Sequence, residues 1–136
     1  MQKIKGTIYY AASDIVNFLE CEHLSALDMI NLETPLPQAE DDDEAILYQQ
    51  KGIAHEGVYV NHLRNSVSCL VDVSGYRDNL DVAVAATQDA MRVGADIIYQ
   101  AALREGCFIG HADFLRRVST PSHLGNFCYE VIDTKL

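Results

Sequence analysis

The chain has 136 residues, 49% of them hydrophobic and 22% charged, a size and balance that suit one domain with a buried core and exclude a disordered chain. Its net charge of −10 excludes a protein that coats nucleic acid through a basic surface, but not one that holds cations on carboxylates. No apolar run reaches the roughly 20 residues of a membrane helix, and the polar start MQKIKGTIYY lacks the apolar centre of a signal peptide, so a cytoplasmic location without membrane contact is expected.

In chain order, residues 3–10 read as a short extended segment. Ser13 reads as an N-cap with Asp14 in the first turn, and Ile15, Phe18 and Leu19 follow at helical spacing. A second short helix is expected over Leu24 to Leu32, ended by Pro35 and Pro37. Asp42 to Arg64 reads as a long helix with an acidic first turn. One of its faces carries Gln49, Ile53, Glu56, Val60 and Leu63. The other carries Tyr48, Gly52, His55, Tyr59 and His62. Gly52 costs a helix about 1 kcal/mol relative to Ala, which suggests close approach of another backbone there.

Val67 to Val73 is a β-branched run and reads as a strand. Asn79 caps an Ala-rich helix that ends at Gly94. Asp96 to Leu103 reads as a strand, Arg104 to Gly106 as a hairpin connection and Cys107 to Val118 as the return strand. Pro121 to Gly125 is a turn, and Asn126 to Leu136 reads as a third strand. The expected class is α/β, a long helix followed by an antiparallel meander.

Acid is unevenly placed. From Asp14 to Glu56 there are eleven Asp or Glu against one base, Lys51. Arg116 and Arg117 stand together downstream. Cys21, Cys69, Cys107 and Cys128 are far apart with no CxxC pair, so neither a disulfide framework nor a zinc site is expected.

Strand alternation puts Ile109, His111, Asp113 and Leu115 on one face. It puts Phe127, Tyr129, Val131, Asp133 and Lys135 on one face of the next strand. Charged groups on apolar strand faces need partners or a metal. Phosphodiester hydrolysis needs a hard cation on carboxylate oxygens and a group that orients water or stabilises charge. Asp113, Asp133 and the backbone carbonyl of Thr134 supply the first, and Lys135 the second.

The segments G-H-A-D-F-L (Gly110 to Leu115) and Y-E-V-I-D-T-K-L (Tyr129 to Leu136) resemble motifs II and III of RecB-family PD-(D/E)xK nucleases. K-G-I-A-H-E (Lys51 to Glu56) resembles the GxxH motif on that family's first core helix. The stretches Ser13 to Leu24, Ala86 to Ala101 and Pro121 to Gly125 resemble an uncharacterised bacterial family of RecB-like putative nucleases, so the resemblance runs over nearly the whole chain.

The resemblance implies a restriction-endonuclease-like core, residues 1–41 being a helical lead-in and 42–136 a partial core. It implies a nuclease that hydrolyses DNA with Mg²⁺ or Mn²⁺, in repair, recombination or defence. His55, Asp113, Asp133 and Thr134 would hold the metal, and Asp113, Asp133 and Lys135 would be catalytic. Glu56 and Gln100 would support the metal or touch substrate, with Tyr99 beside them. His23, His62, His111 and His123 are not taken as ligands.

The family core continues with a helix and a strand after the third strand, so a fragment of a longer chain is expected, one that can include a helicase-like region. A positively charged partner region would supply the grip on DNA. Some RecB-like nucleases hold an iron–sulfur cluster on one upstream and three downstream cysteines. Cys21 matches the upstream position, in a parent chain only. The rival reading is a non-catalytic module that keeps the fold and binds nucleic acid or protein.

Overall fold

The computed structural model describes residues 1–39 and 42–134. The expectation for Lys135 lies outside the described residues. In chain order the elements are β1 (Gln2–Ile4), β2 (Thr7–Tyr9), α1 (Ala12–Glu20), α2 (Glu22–Asn31), α3 (Asp43–Ser66), β3 (Leu70–Asp72), a 3-10 turn (Ser74–Tyr76), α4 (Leu80–Arg92), β4 (Ile97–Glu105), β5 (Phe108–Val118) and β6 (Cys128–Ile132). Among the described residues, no helix is long and apolar enough to cross a membrane. The chain divides into two compact units, Met1–Glu40 with Arg104–Gly110 and Asp41–Leu103 with His111–Leu136.

In the first unit, the expected single extended segment is a hairpin. β1 and β2 pair antiparallel, Lys3 opposite Ile8. The turn between them uses positive φ at Lys5 and Gly6. The first helix is capped at Ala11, not Ser13. Asp14 at the third helical position reaches back and accepts the Ala11 N–H at 2.7 Å, so the cap is made from inside the first turn. The same carboxylate pairs with the Met1 ammonium. Burial opposes its charge, but the ammonium and the Ala11 N–H outweigh that and hold its pKa below the ordinary value. Cys21 lies between α1 and α2 and is an exposed free thiol.

The second unit is built on a sheet of order β3-β4-β5-β6. It is mixed. β3 runs parallel to β4, with Leu70 opposite Ile97 and Asp72 opposite Tyr99. Parallel neighbours need a crossover, and α4 provides it. β5 and β6 do pair antiparallel, from Phe114 opposite Ile132 to Val118 opposite Cys128. Successive residues of β4 enter different clusters. Ile97 packs with Val60 and Phe114 and with the α3 residues Tyr59 and Leu63. Ile98 packs with Ala83, Val84 and Ala90 of α4. Alternation therefore sets α3 and α4 against opposite faces of the sheet.

The helix boundaries follow local chemistry. Asp42 caps α3, its side chain accepting the Ala45 N–H at 2.8 Å. Asn79 caps α4 by accepting from Val82. Gly94 follows α4 at φ +75, and a Cβ there would meet Nη1 of Arg117 at 3.2 Å. The buried stripe of α3 differs from the two traced faces. Val60 is buried and Glu56, Tyr59 and Leu63 are half-buried, whereas Ile53 is 71% exposed. The inward side thus combines residues from both. Among the described residues, no atom outside the helix's own nearby backbone lies within 4 Å of a Cβ added at Gly52, so they show no close backbone approach there, and the glycine leaves a local weakness in the helix.

One polar group in the α4 cluster has a structural duty. Thr87 is fully buried. Its hydroxyl donates to the Ala83 carbonyl at 2.9 Å and accepts the Ala102 N–H at 3.0 Å, tying α4 to β4. Thr87→Val keeps the shape but strands that buried N–H. A loss of about 1–3 kcal/mol in urea unfolding is expected, and an unchanged midpoint would show that the bond contributes nothing net.

Candidate functional site

The β5–β6 ladder brings the two aspartates together. Its register pairs Phe114 with Ile132 and Leu115 with Val131. Continued by one step, it sets Asp113 beside Asp133. Directly opposed side chains in an antiparallel pair lie about 4.5–5.5 Å apart at Cβ. The chain beyond β6 stays close to Asp113, because the Thr134 N–H and hydroxyl both donate to its Oδ2 at 3.0 Å. Thr134 therefore meets the site through its N–H and hydroxyl. The Asp113 carboxylate is half-buried and held in one orientation.

β5 is less regular than strict alternation expects. Ala112 and Leu115 both pack in the α4 cluster, while Phe114 packs in the α3 cluster. Residues three apart on a regular strand face opposite ways. The alternation is interrupted between them, and the expected single face of His111, Asp113 and Leu115 is not kept.

A second irregularity organises the polar groups on the α3 side of β4. Gln100, inside β4, has φ +53, a region costly for a residue with a Cβ. Regular alternation would send Gln100 toward α4 with Ile98. Instead its Nε2 donates to Oε1 of Glu56 on α3, the side that Tyr99 also takes. The Tyr99 hydroxyl bonds the same Glu56 carboxylate. Glu56 is thus the α3 residue that turns toward the sheet. Its neighbour His55 is exposed.

Burial, then the bond to Glu56 and the charges of Glu56 and Asp72, push the Tyr99 phenol up to about 12, against a smaller opposing effect of Arg77. A phenol raised above its unfolded value of about 10 stabilises the fold fully below pH 10. That stability is lost as pH rises from about 10 through about 12. Burial raises the Tyr129 phenol as well, so phenolate absorbance should show a late step to which Tyr99 contributes, and Tyr99→Phe should lower its amplitude by one phenolate.

The adjacent arginines are engaged in the framework. Arg117 donates to the Gly94 carbonyl at 2.5 Å and pairs with Asp96 at 2.7 Å. Arg116 pairs with Glu130 at 3.4 Å. Arg77, which carries no periodic signal in its S-G-Y-R-D-N segment, donates to Oε1 of Gln100 at 2.5 Å. Arg77, Gln100 and His111 are the described lining residues of a cavity of about 400 Å³. Sequence reading left Arg77 out and dismissed His111 only as a metal ligand.

The donor chemistry suits a hard divalent cation, since ligating carboxylates are themselves oriented by hydrogen bonds, as Asp113 is by Thr134. Among the described residues, no three His, Cys, Asp or Glu side chains gather in a metal-holding group. His55 therefore does not complete a ligand trio with Asp113 and Asp133 in this arrangement. The chain matches no family model, no curated protein and no solved structure.

Proposed function

We propose that the chain carries the nuclease centre of a RecB-type, restriction-endonuclease-like protein that hydrolyses DNA with Mg²⁺ or Mn²⁺. The observation that carries the reading is the neighbouring pair Asp113 and Asp133, with Asp113 fixed by Thr134. Mg²⁺ keeps several waters and binds through one or two carboxylates plus substrate oxygens, so the pair suffices without a third side chain. A cation bound there would polarise the phosphate and lower the pKa of a coordinated water. Asp113 and Asp133 would hold that charge, and Lys135, next but one to Asp133, would orient the attacking water or stabilise the phosphate. In this reading Glu56 and Gln100 would support the metal or touch substrate. The motif resemblance over Lys51 to Glu56, Gly110 to Leu115 and Tyr129 to Leu136 agrees with these roles.

The test is cleavage of labelled single- and double-stranded DNA with Mn²⁺, with Mg²⁺ and with chelator. Cleavage that requires the metal supports the reading. Binding of DNA with no cleavage under any metal would replace it with the non-catalytic module.

A further inference from the structure

We infer that Arg77, Gln100 and His111 form a subsite for a phosphate of the nucleic-acid backbone. The inference rests on the nuclease reading for the source of the phosphate, while the anion chemistry of the site stands on its own residues. The described residues that line the cavity are Arg77, Gln100 and His111, each carrying a polar head group on an apolar stem. Gln100 is 7% exposed, so its amide is a built, buried group. The amide orientation is set by its neighbours. Glu56 can only accept when ionised, so Nε2 faces it and Oε1 faces Arg77.

Its partner distinguishes Arg77 from four other arginines. Arg64, Arg92, Arg116 and Arg117 each sit on a carboxylate, of Asp72, Asp89, Glu130 and Asp96 respectively. Arg77 is held by a neutral amide oxygen, with Glu56 at the far end of that amide. It keeps its charge at the cavity while its plane is fixed. A guanidinium has five N–H donors in a rigid fork that matches two phosphate oxygens. The bond to Gln100 orients the fork without cancelling it.

The strained backbone supports the same assignment. The positive φ at Gln100 turns its side chain to the face of Tyr99 and Glu56, and such strain persists only where the surroundings hold it. Replacing that amide by an apolar group would leave Arg77 unoriented. His111 adds an exposed imidazole. It lines the same cavity as Arg77 and Gln100. A polyanionic strand at this cavity meets the fixed guanidinium of Arg77. In a chain of net charge −10, such a group is needed locally.

The experiment uses the Asp113→Asn protein, so that binding is read without turnover. Binding of a short fluorescein-labelled single strand is measured by anisotropy across a salt series, and inorganic phosphate is added in a separate NMR titration. Arg77→Ala is expected to weaken strand binding about tenfold. It should also lower the slope of log K against log salt by about 0.7, one phosphate contact. Arg77→Lys should keep the slope and lose part of the affinity. Inorganic phosphate should shift the Gln100 side-chain amide and His111 resonances, and not do so in Arg77→Ala.

An unchanged slope and affinity in Arg77→Ala overturns the subsite, whether or not the wild-type protein cleaves DNA. Response to phosphate with no strand binding overturns the nucleic-acid assignment in favour of a small phosphate ester. Loss of the slope increment in a protein that cleaves nothing with Mn²⁺ keeps the subsite and removes the nuclease reading instead.

Discussion

Replacing Asp113 by Asn is expected to lower metal-dependent DNA cleavage about 10³-fold, a loss of about 4 kcal/mol in transition-state stabilisation. The substitution is chosen for what it keeps. The Asn carbonyl can still accept the Thr134 N–H and hydroxyl that bond the native carboxylate at 3.0 Å. The β5–β6 ladder, paired from Phe114–Ile132 to Val118–Cys128, does not depend on the charge. The urea midpoint should therefore move little, and strand binding should persist, since removing a negative charge does not repel DNA. Loss of cleavage with the fold intact would assign Asp113 to the chemistry. Cleavage within about twofold of wild type, judged against the 10²–10⁴-fold contribution of a positioned catalytic group, would rule it out. Asp133→Asn should behave alike, because the register makes the two residues neighbours. Full activity after Lys135→Ala would remove the lysine from the mechanism.

Phe114→Ala is expected to cost about 3–5 kcal/mol in equilibrium unfolding, a large share of the 5–15 kcal/mol typical of a domain. Phe114 is fully buried. Its ring meets Tyr59 edge-on at 5.1 Å between centroids and Tyr99 tilted at 5.2 Å. It therefore joins α3 to β4 and β5 in one cluster with Ile97 and Val60. Truncation opens a cavity where three elements meet. Phe114→Leu keeps most of the apolar volume and should cost clearly less, the remainder reflecting two aromatic pairs worth about 0.5–1.5 kcal/mol each. A loss below about 1 kcal/mol for the alanine variant would mean that the cluster collapses around the gap. Because Phe114 adjoins Asp113, the alanine variant should also loosen the candidate site, visible as faster amide exchange at Thr134.

Much of the secondary structure was legible from local chemistry. Asn79 and Gly94 bracket α4 because an N-cap side chain and a left-handed residue act on their immediate neighbours. Asp42 marks the start of α3 for the same reason. Ser13 misled because the competing carboxylate, Asp14, caps from the third helical position. Gly52 misled because a glycine's helix cost is local, while the backbone approach that would justify it depends on what packs there.

Of the candidate site, Asp113, Asp133 and the adjoining Thr134 were legible as a pattern of charged residues on apolar strands. Glu56 and Gln100 were legible only as neighbours of the site. Arg77 was not legible, since a single arginine in a short connection carries no spacing signal.

By itself the sequence determined the helices, the strand segments and the chemistry that two aspartates and a lysine could perform, because those depend on residue type and short-range spacing. The tertiary structure decided that β3 lies parallel to β4, since strand direction follows from the crossover through α4. It decided that Tyr99 and Gln100 reach one carboxylate, since a left-handed residue inside β4 breaks the period of two. It also set Asp113 beside Asp133, twenty residues apart in the chain, because register belongs to a pair of strands and to neither strand alone.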